Sequence, residues 1–190
     1  MPSYVLTGAP GAGKTAILRQ LELDGDRVVD EAATDVIALR QALGEPEPHT
    51  HPAFIDTIVG LQRRRQQAAE AWAEAAGRAG AVVFFDRSPV CTLALSRYLG
   101  YPESALLTEE VDRLLRCGSY SGTVFFVRSL GFVTPTAARR ISLADSLVFE
   151  QVHERTYRDL GFRVIDVPAA PLAERVGVVR REVRRMRRGQ

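Results

Sequence analysis

The feature that most constrains the fold is a glycine-rich octapeptide near the N-terminus. Its sequence is Gly8-Ala9-Pro10-Gly11-Ala12-Gly13-Lys14-Thr15. It fits the pattern G-x4-G-K-[ST], follows an apolar run at residues 4–6, and precedes a segment with helical character. Glycines allow backbone angles that side chains forbid, so successive N–H groups can turn towards one point. The helix that follows adds the positive end of its dipole, so the segment predicts a loop that holds the phosphates of a nucleoside triphosphate.

The loop also carries two side chains with expected roles of their own. Lys14 supplies a positive charge to the outer phosphates, and Thr15 supplies a hydroxyl ligand for Mg²⁺. The predicted cofactors are therefore ATP and Mg²⁺, and ATP is favoured over GTP because the chain has no N-K-x-D segment. The predicted nucleotide-binding residues are Gly8, Ala9, Pro10, Gly11, Ala12, Gly13, Lys14, Thr15 and Ala16.

Apolar runs alternate with helical stretches along the chain. Predicted strands lie at 4–6, 27–29, 81–85, 123–127 and 163–167, and predicted helices at 15–23, 32–43, 53–78, 89–99, 109–116, 143–160 and 171–188. Three prolines within residues 44–52 predict an irregular loop. The alternation predicts an α/β fold, with a parallel sheet between two layers of helices, in a single domain over residues 1–190.

Charge and composition narrow the functional classes. The net charge is +2, but residues 180–188 hold six arginines and one glutamate, which leaves +5 there and −3 for the rest of the chain. A mildly acidic body makes a nucleic-acid partner unlikely. Two cysteines are too few for a disulfide framework, no apolar run is long enough to span a membrane, and the N-terminus has no signal-peptide pattern. A cytoplasmic protein is expected.

Two acidic residues follow predicted strands. Asp86 comes directly after the strand at 81–85, where a carboxylate can hold Mg²⁺ or accept the proton of an acceptor hydroxyl. Glu31 follows the strand at 27–29. The carboxyl ends of parallel strands share one edge of a sheet, so both residues should lie near the glycine-rich loop. The alternative interpretation of Asp86 is a helix cap or a structural salt bridge.

Four segments carry a family resemblance: YVLTGAPGAGKT, VVDEAATDVI, VVFFDRSP and VIDVP. Together they resemble the small AAA-type P-loop ATPase and kinase family, which includes the nicotinamide riboside kinase domain. The chain is more distantly similar to deoxynucleoside and nucleoside monophosphate kinases. The resemblance covers nearly the whole chain and implies a five-stranded parallel sheet in the order 2-3-1-4-5. It also implies ATP as donor and an arginine-bearing lid at about residues 128–142, although here no acidic residue precedes the lid arginines.

The resemblance also suggests roles for individual residues. Glu31 matches the position of a carboxylate near the acceptor hydroxyl, and Arg87 belongs to an Asp/Glu-Arg-Ser triplet that lies beside the acceptor. Either Arg139 or Arg140 is expected to reach the transferring phosphate from the lid. For Arg87 the alternative is a structural ion pair.

The sequence therefore predicts an ATP- and Mg²⁺-dependent kinase that acts on a small-molecule hydroxyl acceptor, with a nucleoside-like compound as one candidate. Residues 53–65 are expected to wall the acceptor pocket. The main alternative is a P-loop ATPase or nucleotide-dependent switch that acts on a protein or RNA partner. A kinase acting on RNA or DNA ends is a third, less favoured reading. His153 is interpreted as a helix surface or packing residue, and the arginines at 63–65 and in the last helix as solvated. The oligomeric state is left open.

Overall fold

The computed structural model describes residues 1–75, 77, 80–133 and 141–188. Its strands are β1 (Ser3–Thr7), β2 (Arg27–Val29), β3 (Val83–Asp86), β4 (Thr123–Val127) and β5 (Arg163–Val167). All neighbouring strands pair in parallel, in the order β2-β3-β1-β4-β5. The predicted α/β class and the 2-3-1-4-5 strand order are confirmed.

The helices of the described residues connect these strands. They are α1 (Lys14–Leu23), α2 (Ala32–Ala42), α3 (Ala53–Ala75), α4 (Pro89–Tyr98), α5 (Ala105–Cys117), α6 (Leu143–Asp159) and α7 (Leu172–Arg188). Residues 76, 78 and 79, at the predicted end of α3, lie outside the described part of the chain. Among the helices that are described, none has the length and apolar character needed to cross a membrane.

Along the central strands, alternate side chains pack into two hydrophobic cores, one on each face of the sheet. Tyr4 and Leu6 of β1 face the layer of α1 and α7, where they meet Ile17 and Val179. Val5 faces the opposite layer, built from α3, α4, α5 and α6. Because burying one large apolar side chain contributes about 1.5–3 kcal/mol, a strand buried on both faces must be apolar throughout. This requirement explains the apolar runs that marked the strands in the sequence.

Among the described residues, the predicted boundaries that differ most from the structure are the starts of β3 and α5. β3 begins at Val83 rather than at residue 81, because its neighbour β1 begins at Ser3, which pairs with Val83 and leaves the two preceding residues without a partner strand. α5 begins at Ala105 rather than at residue 109, because the hydroxyl of Ser104 caps the helix by accepting the N–H of Leu107.

The proline-rich segment at 44–52 is not wholly irregular. Residues Pro48–Thr50 form one turn of 3-10 helix, and Pro48 occupies its first position, where a missing N–H costs nothing. The hydroxyl of Tyr101 donates to the carbonyl of His49 at 2.7 Å and ties this turn to the segment between α4 and α5. The turn thereby reaches the mouth of the cavity described below.

Candidate active site

The carboxyl ends of β1, β2 and β3 bring the predicted loop and both predicted acidic residues to one edge of the sheet. Leu6 of β1 pairs with Asp86 of β3, and Val29 of β2 pairs with Phe85. The glycine-rich loop continues from β1, Glu31 follows β2 by two residues, and Arg87 comes directly after β3. Strand register alone therefore places these groups side by side.

At Gly8 the chain leaves β1 so close to the end of β4 that a side chain would not fit. The Gly8 backbone has φ +128°, and a Cβ atom there would lie 2.2 Å from the carbonyl oxygen of Val127 at the end of β4. Neither the backbone angle nor the space tolerates a side chain. The loop then enters α1 through Gly13, whose φ of +83° is also a glycine conformation.

Lys14, the only lysine of the chain, arches over this loop. Its Nζ donates to the carbonyl oxygens of Ala9 at 2.9 Å and Gly8 at 3.2 Å, and the residue is only 6% exposed. Burial, and then the positive charge of Arg87, lowers the pKa of Lys14 to about 8. An ammonium with three N–H groups keeps one donor beyond the two carbonyls. A nearby phosphate would stabilise its charged form.

Thr15 and Asp86 make a pair of oxygens that fits a magnesium ion. The hydroxyl of Thr15 donates to Oδ2 of Asp86 at 3.5 Å, while Oδ1 of Asp86 is buried and has no hydrogen-bond partner among the described residues. Burial, and then the negative charge of Glu31, raises the pKa of Asp86 to about 6. A divalent cation would relieve both the orphaned oxygen and the cost of the buried charge. Magnesium in nucleotide sites commonly takes one or two protein ligands and completes its shell with phosphate and water.

The side chain of Arg87 contacts both Glu31, which follows β2, and His153 on α6. The Arg87 backbone has φ +70°, the only positive φ outside glycine among the described residues. Its Nε donates to Oε1 of Glu31, and its Nη1 lies 3.2 Å from Nε2 of His153 on α6. Although burial opposes it, the charges of Arg87 and Lys14 lower the pKa of Glu31 overall, so this carboxylate is ionised at neutral pH. The hydroxyl of Thr34 donates to its second oxygen at 2.7 Å.

A cavity of about 590 Å³ opens from the glycine-rich loop. Glu31 and Arg87 line it next to the loop, and beyond them its wall is mostly apolar. Phe149 and Tyr98 form part of this wall, with ring centroids 4.6 Å apart. Asp86 is not among the residues that line this cavity; together with Arg87 it borders a separate void of about 10 Å³. The two predicted carboxylates therefore face different spaces.

The predicted site residues divide into three groups. Those that line the cavity are Pro10, Gly11, Gly13, Lys14, Thr15, Glu31 and Arg87. Gly8, Ala9, Ala12 and Asp86 do not line it, whereas Ala16 is exposed on α1. Arg139 and Arg140 fall within residues 134–140, outside the described part of the chain, so their role stays a prediction. Residues 53–65 contribute Phe54, Ile58 and Gln62 to the wall.

Sequence reasoning missed Arg175, at the start of α7. Its side chain is 3% exposed, and its Nη2 donates to the carbonyl oxygens of Ala12 at 2.6 Å and Arg128 at 3.2 Å. The residue thus holds the glycine-rich loop from behind. Helical spacing was the available signal, because Arg175 shares the apolar face with Val179, four residues later. A charged residue inside an apolar face indicates a buried polar partner.

We expect Arg175→Met to weaken ATP binding about tenfold, because a lost charge-assisted hydrogen bond costs about 1.5–3 kcal/mol and here frees the Ala12 carbonyl of the loop. Isothermal titration calorimetry with ATP measures the effect. Arg185→Met is the matched control on the same helix, since the Arg185 side chain is 73% exposed. Equal ATP affinities for the two variants would contradict a loop-supporting role for Arg175.

The strand order and the loop between β1 and α1 make the fold that of the P-loop nucleotide-binding proteins. Residues 3–175 match the model of an AAA domain family. Because this match spans most of the chain, the chain belongs to that AAA domain family. No curated protein matches it in sequence.

Solved structures with the same fold include a deoxyadenosine kinase from M. mycoides. The form with dCMP and dCDP bound has a TM-score of 0.56 and 14% sequence identity, over 96% of this chain and 98% of that one. The form with dATP bound has a TM-score of 0.50 and 12% identity, over 96% and 99%. At this identity the similarity shows a shared fold.

Proposed function

We propose that the protein is a kinase that transfers the γ-phosphoryl group of ATP to a hydroxyl group of a small, nucleoside-like acceptor. The observation that carries this proposal is the cavity, which runs from the P-loop past Glu31 and Arg87 to an apolar wall. A protein that only hydrolyses ATP needs room for water beside the phosphate. A cavity of about 590 Å³ with an aromatic wall suits an organic acceptor.

The cations of the site suit the transferring phosphate. Lys14 and Arg87 approach from the loop and from the end of β3. Lys14 is buried and only 10% of the Arg87 side chain is exposed, so their charges are weakly screened. In phosphoryl transfer, positioning and charge stabilisation supply most of the catalysis. Thr15 and Asp86 would hold Mg²⁺, which supplies charge neutralisation between the outer phosphates.

Glu31 is a better candidate than Asp86 for the group that orients the acceptor hydroxyl. Only Glu31 lines the cavity, and it is ionised through its pairing with Arg87. A base must lie within hydrogen-bond reach of the proton it accepts. A carboxylate of low pKa is sufficient here because the loose transition state of phosphoryl transfer needs the hydroxyl held in line more than deprotonated early.

The wall of the cavity indicates the body of the acceptor. Apolar and aromatic side chains face it beyond the charged groups: Ile37, Phe54, Ile58, Leu95, Tyr98, Leu99 and Phe149. Gln62 and Thr92 add a polar pair on the same wall, joined by a hydrogen bond of 2.9 Å. An uncharged, planar or apolar body with a few polar atoms and one reactive hydroxyl fits this lining, as a nucleoside or related riboside does.

The proposal is tested by ADP formation from Mg-ATP with a panel of nucleosides, ribosides and small hydroxyl metabolites. Mass spectrometry of the acceptor identifies the phosphorylated product. One acceptor should raise ADP formation well above the basal rate. If none does while ATP still binds, the kinase proposal fails, and an ATPase or switch with a macromolecular partner takes its place.

Glu31→Gln is expected to lower acceptor-dependent ADP formation about 10²–10⁴-fold, the usual contribution of a general base, and to leave ATP affinity nearly unchanged. Asp30→Asn is the matched control. Asp30 adjoins Glu31 in the chain, but its side chain is 56% exposed and pairs with Arg19 on the surface. Similar losses in both variants, or none in Glu31→Gln, would remove Glu31 from the acceptor site.

A further inference from the structure

One face of α6 follows the candidate active site from the P-loop to the end of β3. Ser146 donates to the carbonyl of Pro10 at 3.1 Å, and the Tyr157 hydroxyl is 2.7 Å from that of Ser88. Phe149 and His153 lie between them on the same helical face, and all four side chains are buried. α6 also begins directly after the predicted lid, at the Ser142 cap. The face thus contacts both the loop and the residues after β3.

The hydrogen bonds of His153 define its tautomer. Nδ1 lies 3.0 Å from the carbonyl oxygen of Phe149, which can only accept, so Nδ1 carries the proton. Nε2 lies 3.2 Å from Nη1 of Arg87, which can only donate, so Nε2 presents its lone pair. The residue is 0% exposed, and burial, then the charge of Arg87, lowers its pKa well below the usual range. The imidazole is neutral and acts as an acceptor for the guanidinium.

The guanidinium of Arg87 is consequently held on two sides. Glu31 takes its Nε–H and His153 takes one N–H of Nη1. A guanidinium has five N–H groups in one plane, so fixing two of them orients the other three. Arg87 and Lys14 both line the cavity. In the proposed reaction the remaining N–H groups of Arg87 would be available to the transferring phosphate.

We propose that His153 is a positioning residue that orients the guanidinium of Arg87 towards the transferring phosphate through its neutral, Nδ1-protonated tautomer. The catalytic effect of this inference rests on the proposed kinase function. The tautomer of His153 and its hydrogen bond to Arg87 do not depend on any activity. The role is also separate from packing. Phe149 and His153 are in edge contact, with centroids 4.1 Å apart, and a phenylalanine at position 153 could keep that contact without the acceptor nitrogen.

The kinetic test compares His153→Phe with His153→Gln, whose amide oxygen can accept near the position of Nε2. His153→Phe should lower kcat about 10²-fold, the typical effect of a misplaced catalytic group, with KM for ATP changed much less. His153→Gln should recover a large part of this loss. In an Arg87→Ala background, His153→Phe should have almost no further effect. Equal losses in both backgrounds, or no recovery with glutamine, would overturn the proposal.

A second measurement, NMR of the histidine ring nitrogens, tests the hydrogen bonds of His153 without an activity assay. The chain has three histidines, His49, His51 and His153, so the ¹⁵N ring signals can be assigned with His49→Gln and His51→Gln. His153 should show a protonated Nδ1 and an unprotonated Nε2, and the Nε2 signal should shift in Arg87→Ala. A protonated Nε2, or a signal indifferent to Arg87→Ala, would overturn the proposal even if an acceptor is found. If His153 shows the expected ¹⁵N signals but no compound acts as a phosphate acceptor, only the proposed kinase function is contradicted.

Discussion

Replacing Lys14 with methionine is expected to reduce phosphoryl transfer by about 10²–10³-fold or more, the effect of removing one preorganised charge from a developing transition state. The ammonium is held by the carbonyls of Gly8 and Ala9 and has one donor left for the phosphate. Methionine has similar length and good helix propensity but neither charge nor donor. Acceptor-dependent ADP formation measures the loss.

The same variant should not lose stability. Burial disfavours the charged amine, as the lowered pKa of Lys14 indicates. Removing this buried charge offsets the loss of the two hydrogen bonds to the carbonyls of Gly8 and Ala9. We expect the melting temperature of Lys14→Met to equal or exceed that of the wild type. Arg19→Met is the control on α1, because Arg19 is half exposed and its surface ion pairs contribute little. Near-normal turnover in Lys14→Met would contradict the phosphate-binding role of the loop.

Replacing Gly8 with alanine is expected to destabilise the protein by roughly 3 kcal/mol, since a strained backbone and an overpacked contact each cost about 1–3 kcal/mol. The new Cβ would lie 2.2 Å from a backbone oxygen at the end of β4, which has no flexible end to move away. Relief would require the loop or the strand to shift, so ATP binding should weaken as well. Thermal unfolding and ATP titration measure both effects.

Gly25→Ala separates the two causes of this loss. Gly25 has a similar positive φ of +98°, but a Cβ atom there would meet nothing within 4 Å. It should lower stability by only about 1 kcal/mol, the cost of the backbone angle alone. At about 2–4 °C per kcal/mol for a chain of this size, the two variants should differ clearly in melting temperature. Equal melting temperatures for Gly8→Ala and Gly25→Ala would show that the close approach of Gly8 to Val127 does not contribute to the loss of stability.

The sequence predicts the fold well because its strongest signals are local. The P-loop pattern, the apolar strands and the helical stretches each depend on neighbouring residues, and parallel pairing then brings Glu31 and Asp86 to the same edge. The two boundaries that differ most from the structure depend on partners of different kinds. The start of β3 depends on where β1 begins, 80 residues away in the chain, and the start of α5 depends on a serine cap.

The site was less predictable because its side chains meet across long separations. His153 contacts Arg87 from 66 residues away, and Arg175 reaches Ala12 from 163 residues away. Pattern analysis assigned His153 to packing or surface, and it did not single out Arg175. Nor could spacing tell which carboxylate lines the cavity, since Glu31 and Asp86 both lie at the carboxyl ends of strands.

At Arg87 the backbone conformation and the side-chain contacts favour different types of residue. The left-handed backbone suits glycine, and holding a larger residue there costs about 1–3 kcal/mol. Glycine, however, would remove the guanidinium that contacts both Glu31 and His153. Position 87 is therefore locally frustrated, because backbone energy and site chemistry favour different residues.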